Sequence, residues 1–274
     1  MNAQLFRAGW LASCLAGPWL ASSAQQAATP APRQLEATLF LSHTQFDNGP
    51  GIAATSKNGV RLGELAYAPQ PNQRYWVRYD NGLSLDNADL ARRNATAATT
   101  YLGGFVHYLG RYTTRLELGQ RKLPGGGAQN ILGGEQVIFF ADGYNAKAGV
   151  WLGRRDDGRT ERVFHAGLGI PLTKALRFEP TLFHSRSGVV GEKQSRGLLA
   201  AEYAFDAGQR LGGGVSFGRA YTAAEDHAVR GVSLTGSTPF AGRYRAHLFL
   251  SREEPGLGRT STVFAVGLTR AWKE

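Results

Sequence analysis

A period-two alternation of apolar and polar side chains, recurring along most of the chain, constrains the fold more than any other feature of this sequence. It is clearest from Glu161 to Ser187. In a first arm Phe164, Ala166, Leu168 and Ile170 share one face, with Val163, His165, Gly167 and Gly169 on the other. In a second arm Leu176, Phe178, Pro180 and Leu182 share a face, opposed by Arg177, Glu179 and Thr181. Successive side chains of a strand point to opposite faces, so the pattern predicts a hairpin between two unlike environments, joined by a turn at Pro171 to Ala175. One face needs apolar surroundings and the other tolerates charge.

Whether the apolar face meets a protein core or lipid is narrowed by the start of the chain. Met1 to Arg7 form a short basic opening, Ala8 to Ala21 an apolar run, and Ser22-Ser23-Ala24 a small-residue cleavage site, the plan of a secretory signal peptide. A lipoprotein box at Leu11 to Cys14 fits less well, because the apolar residues before Cys14 are few and they continue past it. We therefore expect residues 1–24 to be a leader, 25–34 a polar Ala/Pro periplasmic linker and 35–274 the folded unit. Beyond the leader no run of about 18 apolar residues occurs, which leaves a closed barrel as the way for such a chain to occupy a membrane.

From Leu35 onward the alternation predicts strands near Leu35 to Phe46, Val60 to Tyr67, Arg74 to Leu85, Ala95 to Tyr108, Arg111 to Lys122, Ile131 to Phe140 and Tyr144 to Arg154. Further strands follow near Arg162 to Ile170, Leu176 to Ser185, Gly197 to Phe205, Arg210 to Tyr221, Val229 to Ser237, Arg243 to Arg252 and Thr260 to Trp272. The connections alternate in length: Asp47 to Asn58 is long, Ala68 to Gln73 compact, Asp86 to Asn94 long, Gly110 minimal, and the later links keep this rhythm, as in Arg186 to Arg196 against Asp206 to Gln209. A sandwich has no reason to gather its long loops at one end, whereas an outer-membrane barrel has short turns on one side and longer loops on the other. The expected fold is all-β, a transmembrane antiparallel up-and-down barrel of about 14 strands, within a range of roughly 12–16. Its expected place is the bacterial outer membrane.

The closing strand, STVFAVGLTRAW, puts Phe264, Val266, Leu268 and Trp272 on one parity, which resembles the aromatic-ended last strand that bacterial outer-membrane barrels present to their assembly machinery. It departs from that pattern at Arg270, and Lys273-Glu274 follow the aromatic. The stretches LSLDNADLARR, RLELGQRKLPGG and ILGGEQVIFF resemble the barrel regions of YaiO-type and exopolysaccharide-export outer-membrane proteins. That resemblance implies a role within an envelope polysaccharide system, with outer-membrane lipid, lipopolysaccharide and the barrel-assembly machinery as partners. Such exporters often carry helical repeats ahead of the barrel, and only the short linker stands there in this sequence.

A net charge of +10 admits nucleic acid, an anionic surface or a basic pore lining as partner. Its basic residues are spread singly along strands and loops rather than clustered with stacking aromatics, so no nucleic-acid partner is expected. The single cysteine, Cys14, lies in the leader, which excludes disulfides and Cys-based metal sites from the mature chain. The histidines lack metal-ligand spacing and no GK[ST] follows any glycine cluster, so no cofactor, metal or phosphate loop is expected. His184 with Ser187, Gly188 and Glu192 resembles the His and Ser of outer-membrane lipid hydrolases, but the spacing differs and His184 has the parity of the apolar face. No catalytic residue is assigned.

The face opposite the apolar parity collects Arg78, Arg115, Arg121, Lys147, Arg177, Arg243 and Arg245, against Asp80, Glu117, Glu179 and Glu202. A Lys or Arg facing lipid at mid-membrane costs ~2–4 kcal/mol, so these residues are expected to face water or one another as the lining of a lumen. A basic lumen favours anions, which points to a passive or accessory pore for small anionic or saccharide solutes, acidic oligosaccharides among them. The alternatives are a non-conducting structural or assembly component of a polysaccharide export system, and a lipid hydrolase using His184.

Overall fold

The protein is described from a computed structural model in residues 34–47, 54–82, 98–122, 127–188, 191–221, 226–256 and 259–273. The leader, the linker up to residue 33 and the connections 83–97 and 222–225 lie outside the described residues. The strands are β1 (Gln34–Asp47), β2 (Thr55–Gln70), β3 (Gln73–Gly82), β4 (Ala98–Leu109), β5 (Tyr112–Lys122), β6 (Ala128–Phe139) and β7 (Asn145–Arg155). They continue as β8 (Thr160–Pro171), β9 (Leu176–Ser187), β10 (Glu192–Ala204), β11 (Arg210–Tyr221), β12 (Asp226–Phe240), β13 (Tyr244–Gly256) and β14 (Arg259–Lys273). Each strand pairs antiparallel with the next, and β14 pairs with β1 from Gln34 opposite Lys273 to Asp47 opposite Thr260, which closes the barrel.

The alternation read from the sequence is the alternation of the wall. In the hairpin β8–β9, Phe164, Leu168 and Leu182 stand exposed on the outside while Val163, His165, Thr181 and Phe183 turn inward. The same parity puts Leu41, Val77, Leu118, Leu132, Val215, Phe217, Val232 and Phe264 on the outside, exposed to between 44% and 66%. A belt so apolar and so unburied is stable only against lipid, where it costs nothing to leave bare.

Turns and termini share one end of the barrel. There β2–β3, β4–β5 and β12–β13 are joined by tight turns, with positive φ at Gly110 (56°), Ala241 (45°) and Gly242 (70°). The outer surface at this end carries an aromatic girdle in which Tyr203 packs on Phe205 (4.7 Å between centroids) and Phe240 on Tyr244 (5.5 Å). Arg270 does not break the apolar face: it lies against Tyr244 and Trp272 at 5.4 and 4.7 Å within the girdle, where a cation reaches the interface. The opposite end, the loop end, differs from expectation. Strands continue into segments that read as loops, so that Arg186 to Arg196 shrinks to a connection over residues 188–191. The reason is register: Ser187 pairs with Glu192, Arg186 with Lys193 and Ser185 with Gln194, and their polar side chains suit a strand standing clear of lipid on both faces.

Candidate functional site

The inner wall is built by long side chains that lie flat over glycines. His165 of β8 crosses Gly149 of β7 to reach Glu135 of β6, with Nε2 2.9 Å from the carboxylate. A Cβ on Gly149 would collide with the imidazole of His165 and with the Gly134 carbonyl, so only glycine leaves the crossing open. Lys147 passes Gly167 to reach Glu179 at 3.3 Å, and Gln129 passes Gly153 to donate to Glu161 at 2.7 Å. Trp76 covers Gly104 in the same way, and Phe40 covers Gly267, with its ring 5.5 Å from that of His247. The many glycines of the sequence thus have a shared use on this face, since a neighbour's side chain fills the space that each leaves.

Charge follows the same geometry. Near the turn end, Lys147 and Arg177 both bind Glu179 (3.3 and 2.7 Å), Arg177 stands opposite Glu202, and Arg210 binds Glu202 at 3.1 Å. Arg245 completes the series, donating to the Gly208 carbonyl at 3.0 Å and to Ser237 at 3.2 Å. On this arc, from β7 to β13, four cations face two carboxylates. On the adjoining arc the balance reverses, because Arg74 alone bridges Glu36 and Glu64, each at 2.9 Å. Further toward the loop end, Arg196 reaches Glu253 at 2.9 Å.

One sector of the inner wall is apolar. Trp76, Leu102, Val106, Ile131 and Ala66 form a buried cluster, with Tyr108 and Trp151 against it. The indole of Trp76 lies between the guanidiniums of Arg115 and Arg78, at 4.8 and 5.8 Å, so that the cluster is edged by cations.

Most residues expected on the inner wall are there. Arg78, Arg115, Glu117, Arg121, Lys147, Arg177, Glu179, Glu202 and Arg245 share the inward parity, with Arg115 paired to Glu117 at 3.4 Å and Arg121 donating to Thr100 at 3.2 Å. Asp80 sits opposite Thr100 in the register, and its side chain lies outside the described residues. Arg243 is a correction. It belongs to the turn between β12 and β13 and is exposed at the end of the barrel, because the turn at Ala241 and Gly242 takes the position that the alternation alone assigns to a strand. His184, Ser187 and Glu192 are not brought together: Ser187 and Glu192 face inward opposite each other, while His184 faces outward and bonds Ser195 at 3.1 Å.

The sequence reading missed Arg74, Arg155, Arg196 and Arg210, and Glu36, Glu64, Glu135, Glu161, Glu192 and Glu253, as parts of the wall. Several of them lie at strand ends that read as loops, and extending the alternation past those ends would have found them. Their inclusion changes the electrostatics. Among the described residues, Arg74, Arg155, Arg196 and Arg210 join the cations, but Glu36, Glu64, Glu135, Glu161, Glu192 and Glu253 join the carboxylates, so the wall as a whole is close to balanced and the basic excess is confined to its turn-end arc.

No protein-family model matches the chain, and no curated protein matches it in sequence. Solved structures do. A FadL homologue of Pseudomonas aeruginosa is 8% identical with a TM-score of 0.58, covering 87% of this chain and 90% of its own. A monoaromatic hydrocarbon channel, CymD, is 9% identical with a TM-score of 0.53 and full coverage of both chains. An outer membrane channel from Pseudomonas putida F1 is 10% identical with a TM-score of 0.52, covering 90% and 98%. Identities this low speak to fold, and the fold they share with this chain is the bacterial outer-membrane β-barrel; the YaiO-type resemblance remains an expectation.

Proposed function

We propose that the protein is a passive outer-membrane pore for small hydrophilic solutes, with anions, acidic saccharides among them, favoured over cations. The observation that carries this reading is the turn-end arc of the inner wall, where Lys147 and Arg177 share Glu179, Arg210 binds Glu202 and Arg245 bonds the neutral Gly208 carbonyl and Ser237. Width supports it. Fourteen strands about 4.8 Å apart and tilted at roughly 40° enclose a backbone radius of about 14 Å for a circular section. Side chains lying flat on glycines stand about 4 Å off the backbone rather than projecting radially, which keeps the interior wide. In so low a dielectric surrounding, unbalanced cations raise the local concentration of anions. Channels among the structural neighbours are in keeping with this reading.

The test is single-channel recording of the folded protein in planar bilayers under a salt gradient. Discrete steps with a reversal potential of anionic sign are expected. Absence of unitary steps would instead favour a non-conducting structural component, and a cationic reversal potential would defeat the role given to the arc.

A further inference from the structure

The outer surface at the loop end holds a feature that conduction does not use. Arg162, Arg186 and Lys193 stand directly opposite one another on β8, β9 and β10, all exposed and all facing outward. Like charges directly opposite on adjacent strands repel across ~5 Å, so this arrangement costs stability unless something else meets it. Among the described residues, no carboxylate forms an ion pair with any of the three. On β7 the residue opposite Arg162 is Leu152, and Arg154 lies diagonally beyond it toward the loop end. On the other side the cations become balanced: Arg219 pairs with Asp226, and Arg230 stands opposite Glu254.

The outward positions on β3 to β6 differ. There stand Tyr79 and Tyr101, packed at 5.4 Å, and Gln120 bonded to Asn130 at 3.2 Å, with Lys122 against Tyr101. In the next row toward the middle of the barrel Phe164 stands opposite His184, which is hydrogen-bonded to Ser195. Beyond that row β9 and β10 present Leu182 and Leu199 outward. Cations above, a mixed polar and aromatic row, then an apolar wall is the complement of an amphiphile with phosphates above a sugar and acyl chains beneath.

We propose that the outer face of β8–β10 is a docking site for a phosphorylated glycolipid of the outer leaflet, lipopolysaccharide in chemical class, with Arg162, Arg186 and Lys193 on its phosphates. The proposal rests on the reading of the chain as an outer-membrane pore with residues 25–34 as a periplasmic linker, which puts the turn end, with the termini, toward the periplasm and the loop end outward from the cell. Its phosphates relieve the repulsion among the three cations, and its acyl chains cover Leu182, which is 70% exposed.

The test uses the full protein folded in detergent micelles, titrated with rough-type lipopolysaccharide, with the same glycolipid after removal of its phosphates, and with inorganic phosphate. Wild type is expected to bind the phosphorylated form, with the triple variant Arg162→Gln/Arg186→Gln/Lys193→Gln weaker on the order of a hundredfold, given the contribution of each Lys or Arg beside an anionic surface. The variant Arg270→Gln, altered at the opposite end, keeps wild-type affinity. Equal binding of the dephosphorylated lipid, saturation by inorganic phosphate alone, or unchanged affinity in the triple variant would each overturn the proposal. Heat-dependent gel mobility and membrane fractionation of the same preparations report the barrel and its location separately, so loss of those marks failure of the outer-membrane reading rather than of the docking site.

Discussion

Arg196 of β10 meets Glu253 of β13 at 2.9 Å across two intervening strands, and the crossing of β12 is open because Gly231 lies beneath its guanidinium. The guanidinium also donates to Ser216, and the Arg196 side chain is only 2% exposed. A charge held that far from water depends on its partner. Replacing Glu253 with Gln is expected to lower unfolding stability in urea by about 1–3 kcal/mol, and adding Arg196→Met is expected to recover part of that loss, because the uncompensated charge is then gone. Gly231→Leu, which leaves both partners in place but fills the crossing, is expected to cost about 1–3 kcal/mol through overpacking. Additive losses in the double variant would show that the pair is not coupled.

The outer belt predicts a difference between two positions of the same parity. Leu182, in the middle of the belt and 70% exposed, should tolerate Arg poorly, with a loss of about 2–4 kcal/mol in unfolding from lipid vesicles. Replacing Arg270, stacked in the girdle between Tyr244 and Trp272, with Leu should change stability by about 1 kcal/mol or less. Comparable effects at the two sites would contradict the depth assigned to them.

Ala241 holds φ at 45° in the turn before Arg243, followed by Gly242 at 70°. These two successive positive φ values open the three-residue turn Ala241 to Arg243, and in that left-handed region alanine bears a strain that asparagine, with its short polar side chain, tolerates better. Ala241→Asn is therefore expected to stabilise the barrel by about 0.5–1 kcal/mol, seen as a higher urea midpoint with an unchanged slope. A loss of stability would mean that the turn relaxes to a different conformation in the membrane.

Selectivity should follow the turn-end arc. Arg210→Gln and Arg245→Gln together remove half of its cations, and the reversal potential in a salt gradient is expected to move toward that of a neutral pore. The effect should be largest near 0.01 M salt, where the screening length is about 30 Å, and small at 1 M, where it is about 3 Å. An unchanged reversal potential at low salt would place the selectivity elsewhere.

The period of two carried most of the fold, because in a barrel every strand separates the same pair of environments and the pattern is never interrupted by a protein core. Strand ends were less legible. Arg186, Glu192 and Lys193 look like loop residues, since above the lipid both faces of a strand are wet and the alternation of polarity fades while that of direction persists. The inner wall was half legible for a related reason. Parity tells which way Glu135 or Glu253 points, but not that a glycine on an intervening strand lets His165 or Arg196 lie down to meet it. That depends on register between strands, which a single sequence does not display. The same limit made the wall look more basic than it is, and it hid the opposition of Arg162, Arg186 and Lys193.

Closure of β1 on β14 carries a consequence for connectivity. Gln34 stands directly opposite Lys273, so the two ends of the described barrel are separated by no more than the spacing of a strand pair, about 5 Å. The order of strands around the ring has no beginning, and the seam is marked only by a missing turn. A linker of a few residues after Lys273 could join the ends, and the chain could be reopened at the connection over residues 188–191 or at 156–159 without breaking a ladder. Such a circular permutant would keep every neighbour that each strand now has, while changing which strand is synthesised first and which arrives last.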